Sequence, residues 1–322
     1  MLGESKDIVA HFKVAWPGIL TVTIVAFWLV LWGELVPSPA SLGGGQHQVT
    51  PVKPRDIAPI SSIAKLRQVF ERIDYDLESV RNGDQMVPPL YLASVPNGMG
   101  RVAQPAERKR LFLSMMLPLV LKVNEGVLKE RDNLLRIKQL QEKGAKLTDA
   151  DRIYLRDMAR IYGVRKPRVD LLLSRVDVLP VSIALAQSAI ESGWGTSRFV
   201  REGNAPFGQW TTASFEGIVP LQRESGKTHK IRTFKNLYAS VRSYIFNLNT
   251  HRAYRGFRAL RETMRVSGGH LDSLALIKSL RAYSEKGGAY VKMLRSVIVG
   301  NDLLPFDRAR LGERVPSGGP DV

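Results

Sequence analysis

Residues 186–195 have the sequence AQSAIESGWG, which predicts a helix with an abrupt end. Apolar residues at intervals of four, three and four place one face of this helix against a core; they are Leu179, Ile183, Ala186 and Ile190. Gly193 and Gly195 are expected to end the helix, because glycine often occupies the position just beyond the last turn. The pattern therefore places Glu191 at a helix terminus, beside Trp194.

A carboxyl group in this position could act as an acid. An aromatic side chain such as that of Trp194 excludes water, and loss of hydration raises the pKa of a carboxyl group. A raised pKa keeps the proton on Glu191 near neutral pH, as a general acid requires. The local pattern also fits a surface Glu that ends an amphipathic helix, so it does not choose between these two interpretations.

The segment at 186–197 resembles the catalytic segment of the glucosaminidase domains of glycoside hydrolase family 73, a group of lysozyme-like enzymes. The resemblance covers roughly residues 169–299, including NAPFG at 204–208, FKNLYASVRSY at 234–244 and LRAYSEKGGAY at 280–290. It implies a lysozyme-like fold, cleavage of a glycan chain and Glu191 as the general acid.

The same resemblance implies roles for other residues. Tyr283 falls on the family's functional tyrosine, Tyr290 on its second tyrosine, and Ala205 on the position of the family's Asn, with Asn204 displaced by one. Gly287-Gly288 replaces an Asp-Pro pair. The predicted catalytic residues are Glu191, Glu224 and Tyr283, and the predicted substrate-binding residues are Trp194, Asn204, Phe207 and Tyr290.

The second carboxyl group of the site is less well defined by the sequence. Glycoside hydrolysis usually employs two carboxyl groups, and the resemblance implies that the second comes from a β-hairpin containing Glu216 and Glu224. Glu224 is the prediction. If neither acid reaches the cleft, the N-acetyl group of the substrate could assist the displacement. Attack by the 6-hydroxyl of the sugar would instead make the enzyme a lytic transglycosylase, which needs one acid.

The patterns predict a mainly α (α+β) fold, a lysozyme-like helical domain with a small β-hairpin lobe. Helical spacing occurs at 61–81, at 106–143 with a bend at Pro118, and from 148 to 301. The helical pattern is interrupted at 207–234, where apolar residues flank the turn sequence ESGK, which favours a β-hairpin.

The N-terminal part predicts a membrane anchor. Residues 14–33 contain no charge and are long enough to cross a bilayer as a helix. A cleaved secretory signal is the competing interpretation, but its apolar region is usually shorter. A slight positive bias before the helix favours a single-pass protein of the bacterial inner membrane with its catalytic domain in the periplasm.

The predicted organisation has six parts. They are a short N-terminal segment (1–13), a transmembrane anchor (14–34), a flexible linker (35–60), a helical region of unknown role (61–165), the glucosaminidase domain (166–308) and a disordered tail (309–322). This order of parts resembles that of the Bax-type proteins of Gram-negative bacteria.

The charge of the chain favours an anionic partner. The formal net charge is +17, which suits nucleic acid, a lipid surface or an acidic wall polymer. A basic stripe on one helix is predicted to be a solvated face that could also hold wall carboxylates or lipid headgroups; it contains Arg252, Arg255, Arg258, Arg261 and Arg265. The chain has no Cys and its His residues lack ligand spacing, so no metal or cofactor is predicted.

Together with the resemblance, these features predict a peptidoglycan hydrolase of the endo-β-N-acetylglucosaminidase type. Its expected partners are peptidoglycan glycan strands and the inner membrane, without nucleic acid. The alternatives are a lytic transglycosylase and a catalytically silent module that binds peptidoglycan through its positive charge. A cytoplasmic nucleic-acid-binding protein would be the fourth possibility, and it would leave the Glu191 segment unexplained.

Overall fold

The structure, a computed structural model, describes residues 56–211, 216–221 and 229–313. The predicted transmembrane helix at 14–34 and the predicted acid Glu224 lie outside these residues. The described α-helices are α1 (Ile63–Arg72), α2 (Leu77–Asn82), α3 (Pro105–Glu142), α4 (Asp149–Ile161), α5 (Val169–Arg175), α6 (Val181–Ser192), α7 (Arg198–Gly203), α8 (Leu237–Thr250), α9 (Arg255–Val266), α10 (Ser273–Leu276) and α11 (Gly288–Gly300). The described strands are β1 (Ile57–Ala58), β2 (Tyr91–Leu92), β3 (Trp210–Thr211), β4 (Gly217–Ile218) and β5 (Lys230–Arg232).

Helix α3 forms the centre of the core. It packs against α5, α6 and α8, and almost every side chain between Leu111 and Val127 is buried. Within the described part of the chain, α3 is the helix long and apolar enough to cross a membrane, yet 83% of its apolar stretch is buried inside the protein. The apolar composition of α3 is therefore explained by its burial in the protein core.

One hydrophobic core runs across the predicted boundary at 165/166. It extends from Ala58 to Phe306 and includes buried residues of α1, α3, α6, α8 and α11. The helical region at 61–165 thus supplies the central helix against which the glucosaminidase part packs.

Several predicted boundaries differ from the structure. The predicted helix at 61–81 is two helices, α1 and α2, separated at Asp74, whose φ of 49° is left-handed. The linker predicted to extend to residue 60 is already ordered at β1, which pairs in parallel with β2. The tail predicted to be disordered from residue 309 begins with ordered backbone, because Val87 donates to the Arg310 carbonyl at 2.8 Å and accepts from the Gly312 amide at 2.9 Å. Turn-rich composition does not prevent such pairing.

The mainly α fold class is confirmed, and the described β residues near the predicted hairpin form a small lobe. Its order is β3-β5-β4, and both pairings are antiparallel. The prediction of a two-stranded hairpin was incomplete, because β5 also pairs with β3, a strand of two residues that is too short to show a period in sequence.

The prediction that the arginine stripe is a solvated face was wrong for two of its members. Arg258 and Arg261 are 6% and 1% exposed. Arg261 donates to backbone carbonyls at the end of α5 and just after it, those of Ser174, Arg175, Asp177 and Val178, at 3.0–3.4 Å. These carbonyls lie where the chain leaves helical geometry, so they need donors from elsewhere.

The start of α6 is fixed by two polar side chains from distant parts of the chain. Asn124 of α3 donates to the Leu179 carbonyl at 2.8 Å and accepts from the Leu179 amide at 3.2 Å. Asp307 accepts from the amide and the hydroxyl of Ser182 at 2.8 and 2.9 Å. The start of α6 is therefore fixed within the core, and the direction of this helix sets the position of Glu191 near its other end.

Candidate active site

The end of α6 has an unusual backbone. Gly193, Trp194 and Gly195 have φ values of 58°, 57° and 79°, and a non-glycine residue such as Trp194 rarely adopts this left-handed conformation. Ser192 stabilises the turn, since its hydroxyl donates to the Ser188 carbonyl at 2.6 Å and accepts from the Gly195 amide at 2.9 Å. A Cβ at position 195 would lie 3.0 Å from Cδ2 of Phe112, so this position requires glycine.

Glu191 occupies the last turn of α6, and its side chain is partly buried. Burial raises the pKa of Glu191 to about 7, against the smaller lowering effects of a hydrogen bond from Tyr290 and the positive charge of Lys286. A carboxyl group with a pKa raised this far keeps its proton much closer to neutral pH than an ordinary Glu does. This is the protonation behaviour that a general acid needs.

A chain of hydrogen bonds holds one oxygen of the carboxyl group. The Tyr290 hydroxyl donates to Oε1 of Glu191 at 3.0 Å and accepts from Nε2 of Gln187 at 2.9 Å. Oε1 of Gln187 in turn accepts from the hydroxyl of Tyr244 at 2.5 Å. Because Gln187, Tyr244 and Tyr290 are buried and partnered, they fix the orientation of the partly buried Glu191 carboxyl group.

The other carboxyl oxygen of Glu191, Oε2, faces Gly208, which has no side chain. No described residue donates a hydrogen bond to Oε2 of Glu191, and a Cβ built on Gly208 would lie 3.7 Å from this oxygen. Gly208, with φ of 59°, therefore keeps the space beside Oε2 clear of a side chain. A proton on Oε2 has no competing acceptor among the described residues and could be given to a bound molecule.

Two of the predicted site residues have buried rings behind this carboxyl group. The Phe207 ring is 2% exposed and stacks on Tyr244 with 3.8 Å between centroids. The Tyr283 ring is 4% exposed, stacks on Tyr290, and its hydroxyl donates to the Phe207 carbonyl at 3.1 Å. Neither ring offers a face to a ligand in this structure. The predictions that Phe207 binds substrate and that Tyr283 is catalytic stay predictions, and the contacts are those of supporting residues.

Trp194 and Asn204 differ in what they leave accessible. The Trp194 ring is partly exposed, packs edge-on against Phe112 at 6.0 Å between centroids, and has Nζ of Lys109 5.0 Å from its centroid. Asn204 ends α7 in a left-handed conformation, and its Nδ2 donates to the Phe234 carbonyl at 3.1 Å. Trp194 is thus the predicted substrate-binding residue whose ring is partly open, while Asn204 ties α7 to the β-lobe.

The sequence analysis missed Gln187, although a signal was present. Gln187 precedes Glu191 by four residues, which places both side chains on the same face of α6. A buried Gln side chain needs polar partners, and here they are Tyr244 and Tyr290, the latter 103 residues later. Tyr290, predicted to bind substrate, contacts the carboxyl group of Glu191.

The structure describes one of the two sequence candidates for the second acid. Glu216 precedes β4 and its side chain is exposed, and Glu224 is outside the described residues. Among residues 56–211, 216–221 and 229–313, no group of three or more His, Asp or Glu side chains could hold a metal ion.

Comparison with known proteins identifies the family of the chain. The Glucosaminidase family, described as Mannosyl-glycoprotein endo-beta-N-acetylglucosaminidase, matches residues 166–303. Protein bax of Escherichia coli (strain K12) is 34% identical over 203 residues, which are 61% of this chain and 71% of that protein. The chain belongs to the Bax family.

In this Bax-family chain the glucosaminidase domain contains α5 to α11 and the Glu191 site. A shorter similarity links it to Peptidoglycan hydrolase FlgJ of Salmonella typhimurium (strain LT2), 35% identical over 77 residues, which are 21% of this chain and 24% of that protein. No solved structure matches the chain.

Proposed function

We propose that this Bax-family chain is a glycoside hydrolase that cleaves β-1,4 linkages in the glycan strands of peptidoglycan, as an endo-β-N-acetylglucosaminidase, with Glu191 as the general acid. The observation that carries the proposal is the Glu191 carboxyl group, whose pKa is raised to about 7 and whose Oε2 faces the side-chain-free position of Gly208. The glucosaminidase domain supports the reaction type, and the similarity to a peptidoglycan hydrolase supports the substrate.

In the proposed reaction, Oε2 of Glu191 donates its proton to the glycosidic oxygen as the bond to the anomeric carbon breaks. The Tyr290 hydroxyl keeps its hydrogen bond to Oε1 and stabilises the carboxylate that is left. A second carboxylate then activates water or attacks the anomeric carbon. We assign this second role to Glu224.

We further propose that residues 14–34 anchor the protein in the bacterial inner membrane and that the catalytic domain faces the periplasm, where peptidoglycan is accessible. The uncharged stretch at 14–33 supports the anchor. Reporter fusions after residue 60 should be active for a periplasmic reporter and inactive for a cytoplasmic one. The reverse result would contradict both the orientation and the substrate.

The decisive test uses the full-length protein in a neutral detergent with purified peptidoglycan. The wild type should release soluble fragments, and Glu191→Gln should lower the rate by about 10²–10⁴-fold, the usual contribution of a general acid. Glu71→Gln is the matched control, because Glu71 is an exposed acid on α1 without a role in the site. Equal activity of Glu191→Gln and the control would refute the mechanism. Binding of peptidoglycan by the wild type without any product would favour the silent binding module.

Mass analysis of the fragments identifies the bond. A reducing N-acetylglucosamine end supports the proposed specificity, whereas a reducing N-acetylmuramic end would place the cut at the other linkage. An anhydro end would show a lytic transglycosylase. In that case Glu224→Gln should keep most of the activity, since a single acid suffices.

A further inference from the structure

A basic cavity lies between α9 and the connection from α4 to α5, away from Glu191. It has a volume of about 900 Å³. Six cationic side chains line it, those of Arg165, Lys166, Arg168, Arg175, Arg255 and Arg258, and Glu262 is the acid among its lining residues. Arg175 precedes α6 and Glu191 lies near the far end of that 12-residue helix, which is about 18 Å long. The cavity is therefore a separate site.

The floor of the basic cavity contains two arginines that are held by the backbone. Nη1 of Arg258 donates to the carbonyls of Leu248 and His251 at 3.0 and 2.9 Å. Nη1 of Arg175 donates in the same way to the carbonyls of Tyr162 and Gly163. Each guanidinium group is thus fixed through a single nitrogen.

These contacts leave one edge of each guanidinium group unused. No described residue accepts a hydrogen bond from Nε or Nη2 of Arg175 or of Arg258, and both side chains line the cavity. Nε and Nη2 form the side edge of the guanidinium group, which binds two oxygens of one anion through parallel hydrogen bonds. The cavity therefore has two lining arginines whose Nε and Nη2 have no acceptor among the described residues.

The cationic side chains that line the basic cavity outnumber the acidic ones by six to one. None of the six cations forms an ion pair with a described residue, and Arg165, Lys166, Arg168 and Arg255 are exposed at the rim. Burial and the neighbouring charges of Arg175, Arg261 and Arg255 lower the pKa of Arg258 to about 10. Arg261 differs, because it lies within 3.8 Å of the Asp177 carboxylate. An anion from outside would relieve the repulsion in the cavity.

The number of guanidinium edges in the basic cavity indicates which kind of anion it binds. A carboxylate has two oxygens, which one guanidinium edge already satisfies. A phosphate group has more oxygens and more charge, so it can accept from both edges while the rim cations surround it. We propose that the basic cavity binds a phosphate group through the free edges of Arg175 and Arg258. The phosphate could belong to a lipid headgroup or be free in solution.

The proposal is tested by calorimetric titration of the full-length protein in a neutral detergent. Three probes are used, namely inorganic phosphate, acetate and dihexanoylphosphatidylglycerol. Phosphate should bind at least about tenfold more tightly than acetate, because a hydrogen bond to a charged group contributes about 1.5–3 kcal/mol. No binding of phosphate, or equal binding of acetate, would overturn the proposal.

Two sets of variants assign the binding to the cavity. Arg175→Lys with Arg258→Lys keeps both charges but removes the forked edges, and should weaken phosphate binding about tenfold or more. If this variant does not fold, the site is tested with a rim variant that combines Arg165→Gln, Arg168→Gln and Arg255→Gln. These exposed side chains form no hydrogen bonds with described residues. The matched control removes three exposed cations elsewhere through Arg72→Gln, Lys146→Gln and Arg156→Gln. Equal losses in the rim variant and the control would mean that net charge alone attracts phosphate, and would refute the site.

The lipid probe separates the two sources of phosphate. If the lipid binds more tightly than inorganic phosphate and competes with it, the ligand is a headgroup, and the end of α6 opposite Glu191 faces the membrane. If inorganic phosphate alone binds, the ligand is a soluble phosphate. Both results support the site, and neither depends on whether Glu191 cleaves peptidoglycan.

Discussion

Two carboxyl groups enclosed near opposite ends of α6 have opposite acidities. At Asp177, burial opposes ionisation, but a two-pronged hydrogen bond from Arg265 and the charges of Arg261 and Arg131 outweigh it and lower the pKa. At Glu191, burial is opposed only by a tyrosine hydroxyl and by the charge of Lys286, so the pKa rises to about 7.

The difference shows how one core holds a structural anion and a candidate acid. Asp177 is 2% exposed and three arginine side chains lie within 2.9–3.8 Å of its oxygens, so it stays ionised at neutral pH and neutralises buried cations. Glu191 has tyrosine and glutamine around it in place of arginine, so it keeps a proton that can be transferred. The type of partner, rather than burial alone, decides the role of each group.

The largest expected effect follows from removing the charge of Asp177. Asp177→Asn should lower the free energy of unfolding at neutral pH by about 3–5 kcal/mol, because it leaves the fully buried Arg261 without its counter-ion. Urea unfolding measures this loss. Asp132→Asn, at an exposed position of α3, should change the stability by less than about 0.5 kcal/mol. A loss below about 1 kcal/mol for Asp177→Asn would mean that backbone carbonyls alone compensate the arginine.

Glu191 should show the opposite dependence of stability on pH. A carboxyl group whose pKa is raised from 4.5 to about 7 on folding destabilises the protein progressively as pH rises through this range. Glu191→Gln removes this penalty, so its stability should equal that of the wild type near pH 4 and exceed it by at most about 3 kcal/mol at pH 8. Unfolding at both pH values tests this, with Glu71→Gln as a control that shows no such trend. Identical stabilities at pH 8 would contradict the raised pKa.

The hydrogen bond from Tyr290 should lower the pKa of Glu191. Activity should fall above about pH 7 as Glu191 loses its proton, and Tyr290→Phe should move this limb of the kcat/KM profile to higher pH. The hydrogen bond stabilises the carboxylate by about 1 kcal/mol, so the expected shift is about half a unit to one unit. Tyr75→Phe is the control, because the buried hydroxyl of Tyr75 has no partner among the described residues. A shift to lower pH would mean that Tyr290 stabilises the protonated form.

The sequence alone predicted the parts of the fold that depend on local spacing. The apolar residues of α6 and the glycines after it placed Glu191 at a helix end, as the structure has it. The central role of α3 could not be predicted, since periodicity shows that a face is buried but not which elements bury it. For the same reason the spacing of basic residues in α9 predicted a solvated face. Arg261 is instead buried, because it donates hydrogen bonds to the backbone carbonyls that follow α5.

The candidate site was predicted less completely than the fold. The family resemblance pointed to Glu191 and Tyr290, which the structure brings together, and to Phe207 and Tyr283, which lie behind them. The link through Gln187 depends on a contact between helices 103 residues apart in sequence, and no local pattern encodes it. Local sequence therefore places a carboxyl group at a helix end, while the raised pKa of this group arises from tertiary contacts.

The smallest effect should come from Lys286, the cation that influences Glu191 without touching it. Lys286→Gln should raise the pKa of Glu191 and move the basic limb of the kcat/KM profile upward by about 0.2 unit, less than Tyr290→Phe, because an exposed charge is screened by solvent. The shift should vanish in about 1 M salt, and Lys292→Gln on α11 should not produce it. If Lys286→Gln instead moved the limb further than Tyr290→Phe, distant charge would govern this carboxyl group. Glu191 and Asp177 would then differ in how strongly nearby charges act on their pKa values, and not in the type of partner.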